Sequence, residues 1–400
     1  MMKKLGLLPK IILGIILGVI IGSTSPEWII KGFATFSGIF SNFLNFIIPL
    51  IIIGFIAPGI GELGKGAGKL LGLTTAIAYG STIVAGLAAY FVSTNFFPHI
   101  LEVGTLTSAF KNPEEALTQA YFTIEIPPIM GVMSALVLAF TLGLGSASLK
   151  GDSLLNVMVD LRTIVEKVIS SVIVPLLPVH IMCVFTNLTY AGQVQLIISV
   201  FFKVFIIIIA LHILYLFVQY FIAGQLGRKS YISLMKNMFP VYMTAIGTQS
   251  SAATIPVTLR QVKKNRVSDQ IADFVVPLCA TIHLSGSTIT LVSCSMAVMM
   301  LNGMSTTFGI MFPFILMLGI TMVAAPGVPG GAVMSAIGLL QLMLGFSPSL
   351  TSLMIALYIA QDSFGTACNV TGDGAIAIIV DRIKGKGKAH QPVEQMEPIA

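Results

Sequence analysis

The chain has 400 residues, of which 56% are hydrophobic and 10% charged, with a mean hydropathy of +0.95. A soluble domain carries about 25% charged residues. Here runs of the roughly 20 apolar residues that a spanning helix needs fill most of the chain, which excludes an ordinary soluble domain and points to an all-α polytopic membrane protein. The net charge of +6 is no sign of nucleic-acid binding, because the basic residues are scattered between apolar runs. Cys183, Cys279, Cys294 and Cys368 all lie in apolar segments, with no CxxC and no His spacing for zinc, and read as small buried residues.

In chain order, Leu8 to Ile21 reads as a first helix; Lys3 and Lys4 precede it, but no small-x-small cleavage site follows, so it is expected to stay uncleaved. Phe33 to Ile60 is the second helix, with Pro49 as an expected kink. Leu70 to Phe97 is the third, and Pro98 to Glu125 is a polar loop. Pro127 to Leu149, Leu155 to Tyr190 and Val194 to Ile222 complete six helices. An inside amino terminus gathers nearly every Lys and Arg on one side and leaves only Lys31 and Lys111 among the outer loops, as the positive-inside rule requires. That works only if two later segments enter and leave on the same side.

Those segments are Ser230 to Val262, containing TQSSAATIP, and Phe308 to Phe346, containing AAPGVPGG. Both read as re-entrant hairpins, since irregular backbone at membrane depth must be covered by protein or line a cavity; for either one alone a kinked helix would also serve. Each is followed by a helix expected to be broken by polar residues, HLSGST (His283 to Thr288) after the first and QDSFGTACNVTGD (Gln361 to Asp373) after the second. The expected fold is therefore eight transmembrane helices plus two re-entrant hairpins in inverted repeats. Residues 1–226 form scaffold-type helices, some of which contribute to the moving part. Residues 227–384 form the binding core, and 385–400 a disordered cytoplasmic tail.

The last helix carries the chemistry. Asp at the centre of a spanning helix costs roughly 2.5–3.5 kcal/mol on insertion scales, so such residues usually face a cavity and bind something. Asp362, Thr366, Asn369 and Asp373, spaced 4, 3 and 4, share one helical face. That face is anionic and oxygen-rich, suited to a cation or an ammonium group.

SSAATIPVTL, ATIHLSGST, GVPGG and QDSFGTACNVTGD, in this order, resemble the dicarboxylate/amino acid:cation symporters, the glutamate-transporter family, and within it the bacterial sodium-coupled serine/threonine branch. The resemblance implies a substrate site in which Asp362 holds the α-ammonium and Asn369, Ser250 and Ser251 hold the α-carboxylate. Ser287, Val328, Gly365 and Thr366 line that site. It also implies one sodium site from Asp373 with main-chain oxygens of Cys279, His283 and Asn369, and a second from Thr281, Met322, Val323 and Ala325. A homotrimer in the plasma membrane, with both termini cytoplasmic, elevator-type alternating access, sodium as the coupling ion and no cofactor follow from the same resemblance.

Three departures from the family pattern matter. Gly365 stands where acidic-substrate members carry an Arg, and Gln249 where some carry another, so a second substrate carboxylate would be buried without compensation and a small neutral amino acid is expected. Ser285 replaces an Asp of a third sodium site, leaving Ser81 and Thr82 as a weakened set. His283 replaces an Asn, and either makes neutral hydrogen bonds within the bundle or carries a proton in place of a sodium. A ligand-gated channel favours rings of like residues, and the chain has no GxSxG for an intramembrane hydrolase.

Overall fold

A computed structural model describes residues 7–65, 69–101, 104, 117–327 and 329–385. These are all-helical, with no strand among the described residues. Helix α1 is Leu7–Thr24, α2 Glu27–Lys65, α3 Lys69–Ile100 and α4 Val132–Ser148. A third long run comprises α5, Ser153–Val168, a π-helical turn at Ile169–Ile173 and α6, Val174–Tyr190. Then come α7, Val194–Gly227; α8, Tyr231–Thr248; α9, Ser251–Lys264; α10, Asp269–Ile282; and α11, Ser285–Leu301. Phe308–Val323 is α12, Gly331–Leu344 α13 and Pro348–Gly385 α14.

Most expected segments are found, with shifted ends. Helix α3 runs through Pro98 to Ile100, so the polar loop starts later than expected; its Lys111 lies outside the described residues, as do Lys3, Lys4, Val328 and nearly all of the 385–400 tail. Helix α4 begins at Val132 rather than at Pro127, because Pro127 and Pro128 supply no N–H and push the residue before each out of the helical region. The π turn falls where Pro175 has no N–H to offer the carbonyl of Ser171, and a widened turn accommodates the mismatch.

One expectation is overturned. The helix after the second hairpin is not broken at QDSFGTACNVTGD, because α14 is continuous for 38 residues. Its only proline is Pro348 at the start, and none of Gly365, Gly372 and Gly374 takes a positive φ. Polar side chains alone do not interrupt a helix; missing donors and special φ/ψ do. The helix after the first hairpin is broken as expected, between α10 and α11, at extended His283 and at Leu284.

Among the described residues, six runs are long and apolar enough to cross a bilayer: Glu27–Glu62, Lys69–Ile100, Ser153–Tyr190, Ile197–Gly227, Asp269–Leu301 and Pro348–Lys384. Pro9–Thr24 and Ser134–Ser148 are apolar but shorter. The protein is therefore a multi-pass membrane protein.

Packing divides the helices. Helix α1 lies along α6, and α2 lies against α4, α5 and α6. The α1–α6 contact is close because Gly14, Gly18 and Gly22 recur every four residues. A Cβ on each would stand 2.6, 2.5 and 2.4 Å from the carbonyl oxygens of Pro178, Met182 and Thr186. Helices α3 and α7 instead pack on α11 and α14, the central pair of the later chain. Helices α8 and α9 form one antiparallel hairpin, and α12 and α13 a second.

Candidate functional site

The two hairpin tips and the middles of α11 and α14 converge. Helix α8 ends at Gln249, in the left-handed region (φ 53°), and Ser250 caps α9 by accepting the Ala253 N–H at 3.3 Å. The Ser250 hydroxyl also donates across to the Gly327 carbonyl at 2.9 Å, joining the tips. Helix α11 approaches α14 at Gly286, where a Cβ would lie 2.4 Å from the Gly365 carbonyl. That closeness lets Asn369 read the start of α11. Its Oδ1 accepts the N–H groups of Gly286 (2.7 Å) and Ser287 (3.2 Å), and its Nδ2 donates to Ser287 Oγ (2.9 Å).

Between these elements lies a small cavity lined by Gln249, Ser251, Ser287, Asp362, Thr366 and Asn369, together with Leu284, Pro326, Gly327, Ala332 and Tyr358. Among the described lining residues Asp362 is the sole charged one. It is 4% exposed, and its Oδ2 accepts the Gly330 N–H at 2.7 Å. A buried carboxylate against neutral donors and hydroxyls is a receptor for a cationic group. With no basic side chain among the described lining residues, a bound carboxylate has only neutral donors to meet it.

Of the residues assigned to the substrate site, Ser251, Ser287, Asp362, Thr366 and Asn369 thus share one cavity. Ser250 stands at its rim and ties the tips, and Val328 lies outside the described residues. Gly365 does not line the cavity. It faces the backbone of α11, where a Cβ would sit 3.5 Å from the Ser287 nitrogen and 3.6 Å from the Gly286 carbonyl carbon. Sequence reasoning missed Tyr358, which is fully buried, lines the cavity and donates to Ser287 Oγ at 3.0 Å. Its place one turn before Asp362 on the same helical face was the available signal.

The cation-site residues sit deeper. His283 Nδ1 is 2.9 Å from Asp373 Oδ1, and both side chains are buried. The ring's Nε2 meets Ser81 Oγ at 3.0 Å, and Gln219 Nε2 donates to the same hydroxyl at 3.0 Å. Asp373 Oδ2 and Thr371 Oγ1 are buried without a partner, so oxygen remains available there. Asn369 meets α11 from the same helix, while the Cys279 carbonyl accepts the His283 N–H at 2.9 Å. Of the other candidate set, Thr281, Val323 and Ala325 border a larger cavity of about 570 Å³ reaching Glu62 and Arg162, whereas Met322 is fully buried and its carbonyl accepts the Ala325 N–H. The weakened third set is dispersed in role. Ser81 serves His283, Thr82 bonds back to the Ala78 carbonyl, and the Ser285 hydroxyl is buried without a partner.

Comparison with known proteins bears on this geometry. The model of the sodium:dicarboxylate symporter family matches residues 7–383. The chain belongs to this family. Membership makes it a transporter rather than an enzyme. The symporter is similar to the serine/threonine transporter SstT of Streptococcus suis (strain 05ZYH33), at 25% identity over 348 residues, covering 83% of this chain and 94% of the relative. In this symporter the family match spans both hairpins and both central helices, so the cavity between the tips belongs to the matched region.

Proposed function

We propose that this symporter carries a small neutral amino acid of the serine/threonine kind, coupled to sodium, by alternating access of an elevator type. The observation that carries the substrate class is the cavity with Asp362 as its one charge. The carboxylate meets the α-ammonium of a zwitterion, while the Asn369 amide, the Ser251 and Ser287 hydroxyls and the tip N–H groups meet its α-carboxylate. A dicarboxylate would bring one more anion into an already anionic pocket, a strongly unfavourable burial. The printed name of the Streptococcus suis relative agrees with this class.

In this reading the eight spans, two re-entrant hairpins and inverted repeats expected from the sequence hold. Helices α1, α2, α4, α5 and α6 are the fixed part, and the rest moves with the cavity. The carrier works as a homotrimer in the plasma membrane with both termini cytoplasmic. Sodium is bound at Asp373 and at the carbonyls near Thr281 and Ala325.

The His283 imidazole on Asp373 favours a second reading, in which a proton-coupled or mixed sodium/proton-coupled carrier uses the same substrate site. Labelled serine uptake into proteoliposomes under a sodium gradient or a proton gradient separates the two. Sodium-driven uptake insensitive to aspartate is expected. Proton-driven uptake alone would select the second reading, and aspartate uptake without serine uptake would overturn the substrate class.

A further inference from the structure

A third cavity, of about 360 Å³, opens at the far end of the first hairpin from its tip, where α7, α8 and α9 meet. Lys229, Lys264 and Arg266 line it with Ser230, Ser233 and Asn237, and no acidic residue is among the described lining. The backbone is built to hold this arrangement. Arg228 (φ 51°) and Arg266 (φ 60°) occupy the left-handed region that few non-glycine residues adopt, each closing a turn that feeds the cavity. Helix α8, 18 residues long, starts at the cavity with Ser230 making no side-chain cap and no acidic residue in its first turn. Its first N–H groups lack intrahelical acceptors and carry the positive end of the helix dipole.

Positive charge is also in excess around it. Lys229 lies half-buried with Arg382 and Arg266 as its neighbours, and burial followed by those two cations lowers its pKa below the ordinary lysine value. Its ammonium donates to the Asn265 carbonyl at 2.6 Å. The nearby carboxylate, Asp381, is taken up by Ser268, accepting its hydroxyl at 2.6 Å and its N–H at 3.3 Å. Lys229, Arg266 and Arg382 thus face a single carboxylate, which leaves the region net positive.

The surface beside the cavity is apolar. Phe221, Ile222 and Leu226 of α7 are between 47% and 50% exposed. Phe221 packs edge-on against Tyr231, at the first residue of α8, with ring centroids 5.8 Å apart. The apolar strip therefore begins at the lip of the basic cavity. A soluble anion has no use for such a strip, whereas a lipid has both a phosphate and acyl chains.

We propose that this cavity binds the phosphodiester headgroup of an anionic membrane lipid, its chains lying along the exposed face of α7. The site is independent of the transport reading. Basic pockets between membrane helices suit such headgroups, and each basic residue near the surface contributes about 1 kcal/mol, roughly a fivefold change in affinity.

The test is native mass spectrometry of the full-length protein from micelles containing phosphatidylglycerol and phosphatidylcholine. Retained phosphatidylglycerol is expected to exceed phosphatidylcholine. The combined variant Lys229→Gln, Lys264→Gln, Arg266→Gln should lose that preference, by roughly fivefold per charge. A control with the same charge change elsewhere, Lys10→Gln, Lys150→Gln, Lys167→Gln, should keep it. Should the pocket variant fold poorly, exposed Ser233→Asp places one repelling charge in the cavity and is expected to reduce retention. Equal loss in the control, or undiminished retention in the folded pocket variants, would overturn the site. Thermal protection by inorganic phosphate at matched ionic strength, as large as that by phosphatidylglycerol, would overturn the lipid as its occupant.

Discussion

The first hairpin turns through Gln249 and Ser250, with the next helix starting at Ser251, whereas the second takes residues 324–330 to pass from α12 to α13. The first turn is held by its own chain: the Gln249 N–H bonds to the Ala245 carbonyl, and Ser250 caps its own helix. The second tip is rich in Gly and Pro, ends at Gly330 with φ 75°, and reaches its surroundings through the Gly330 N–H on Asp362 and the Gly327 carbonyl on Ser250. One tip is fixed locally. The other takes its position from groups that also face the ligand cavity. A ligand competing for Asp362 therefore acts on the second tip first, which makes it the gate in the proposed cycle.

Replacing Asp362 by Asn gives the largest effect expected. The amide oxygen still accepts the Gly330 N–H, so the tip keeps its bond while the charge is lost. Serine uptake should fall by at least about 30-fold, the equivalent of losing one partner of a buried charge pair, with normal elution on size exclusion; robust uptake would sink the ammonium assignment. Next comes Gly331→Ala. Its Cβ would stand 2.2 Å from the Pro326 carbonyl, so the second tip must shift by an amount the first tip never feels. Overpacking of this kind costs about 1–3 kcal/mol, seen as a lower melting temperature together with reduced uptake.

Smaller effects sharpen the contrast. Cysteines at Ser251 and Gly327, whose Cβ atoms would stand 3.6 Å apart, should cross-link on oxidation and be released by reductant. Saturating substrate that lifts the second tip should slow the cross-link, and an unchanged rate would count against the gate. Tyr358→Phe removes a donor to Ser287 and should raise the serine KM by roughly 2- to 10-fold, the worth of about one net hydrogen bond. Ser250→Ala should be mildest in its own hairpin. It removes the cap, at a cost of about 0.5–2 kcal/mol, and the bond to Gly327, visible as faster proteolysis at the first tip.

Two helices of the core make the limits of sequence reading concrete. Both HLSGST and QDSFGTACNVTGD are polar stretches in apolar runs, and both invite the reading of a break. Only the first is interrupted. Composition reports that a segment needs a polar neighbour, not whether its backbone stays helical, because that depends on donors and φ/ψ. The 4, 3, 4 spacing of Asp362, Thr366, Asn369 and Asp373 already implies an intact helix, and three of the four do line the cavity.

By itself, the sequence determined that this is an all-helical membrane protein, and that Asp362 and Asp373 are buried anionic residues. Apolar length, Gly/Pro clusters and helical period are local properties and survive without a structure. The partners of those carboxylates were decided by tertiary packing. That Gly330 reaches Asp362, that Tyr358 joins Ser287, and that the His283 ring spans Asp373 and Ser81 all depend on contacts between residues 32 to 202 positions apart. The Tyr358–Ser287 contact forms where α11 and α14 meet at Gly286 without a side chain between them, and no local pattern encodes the depth of that approach.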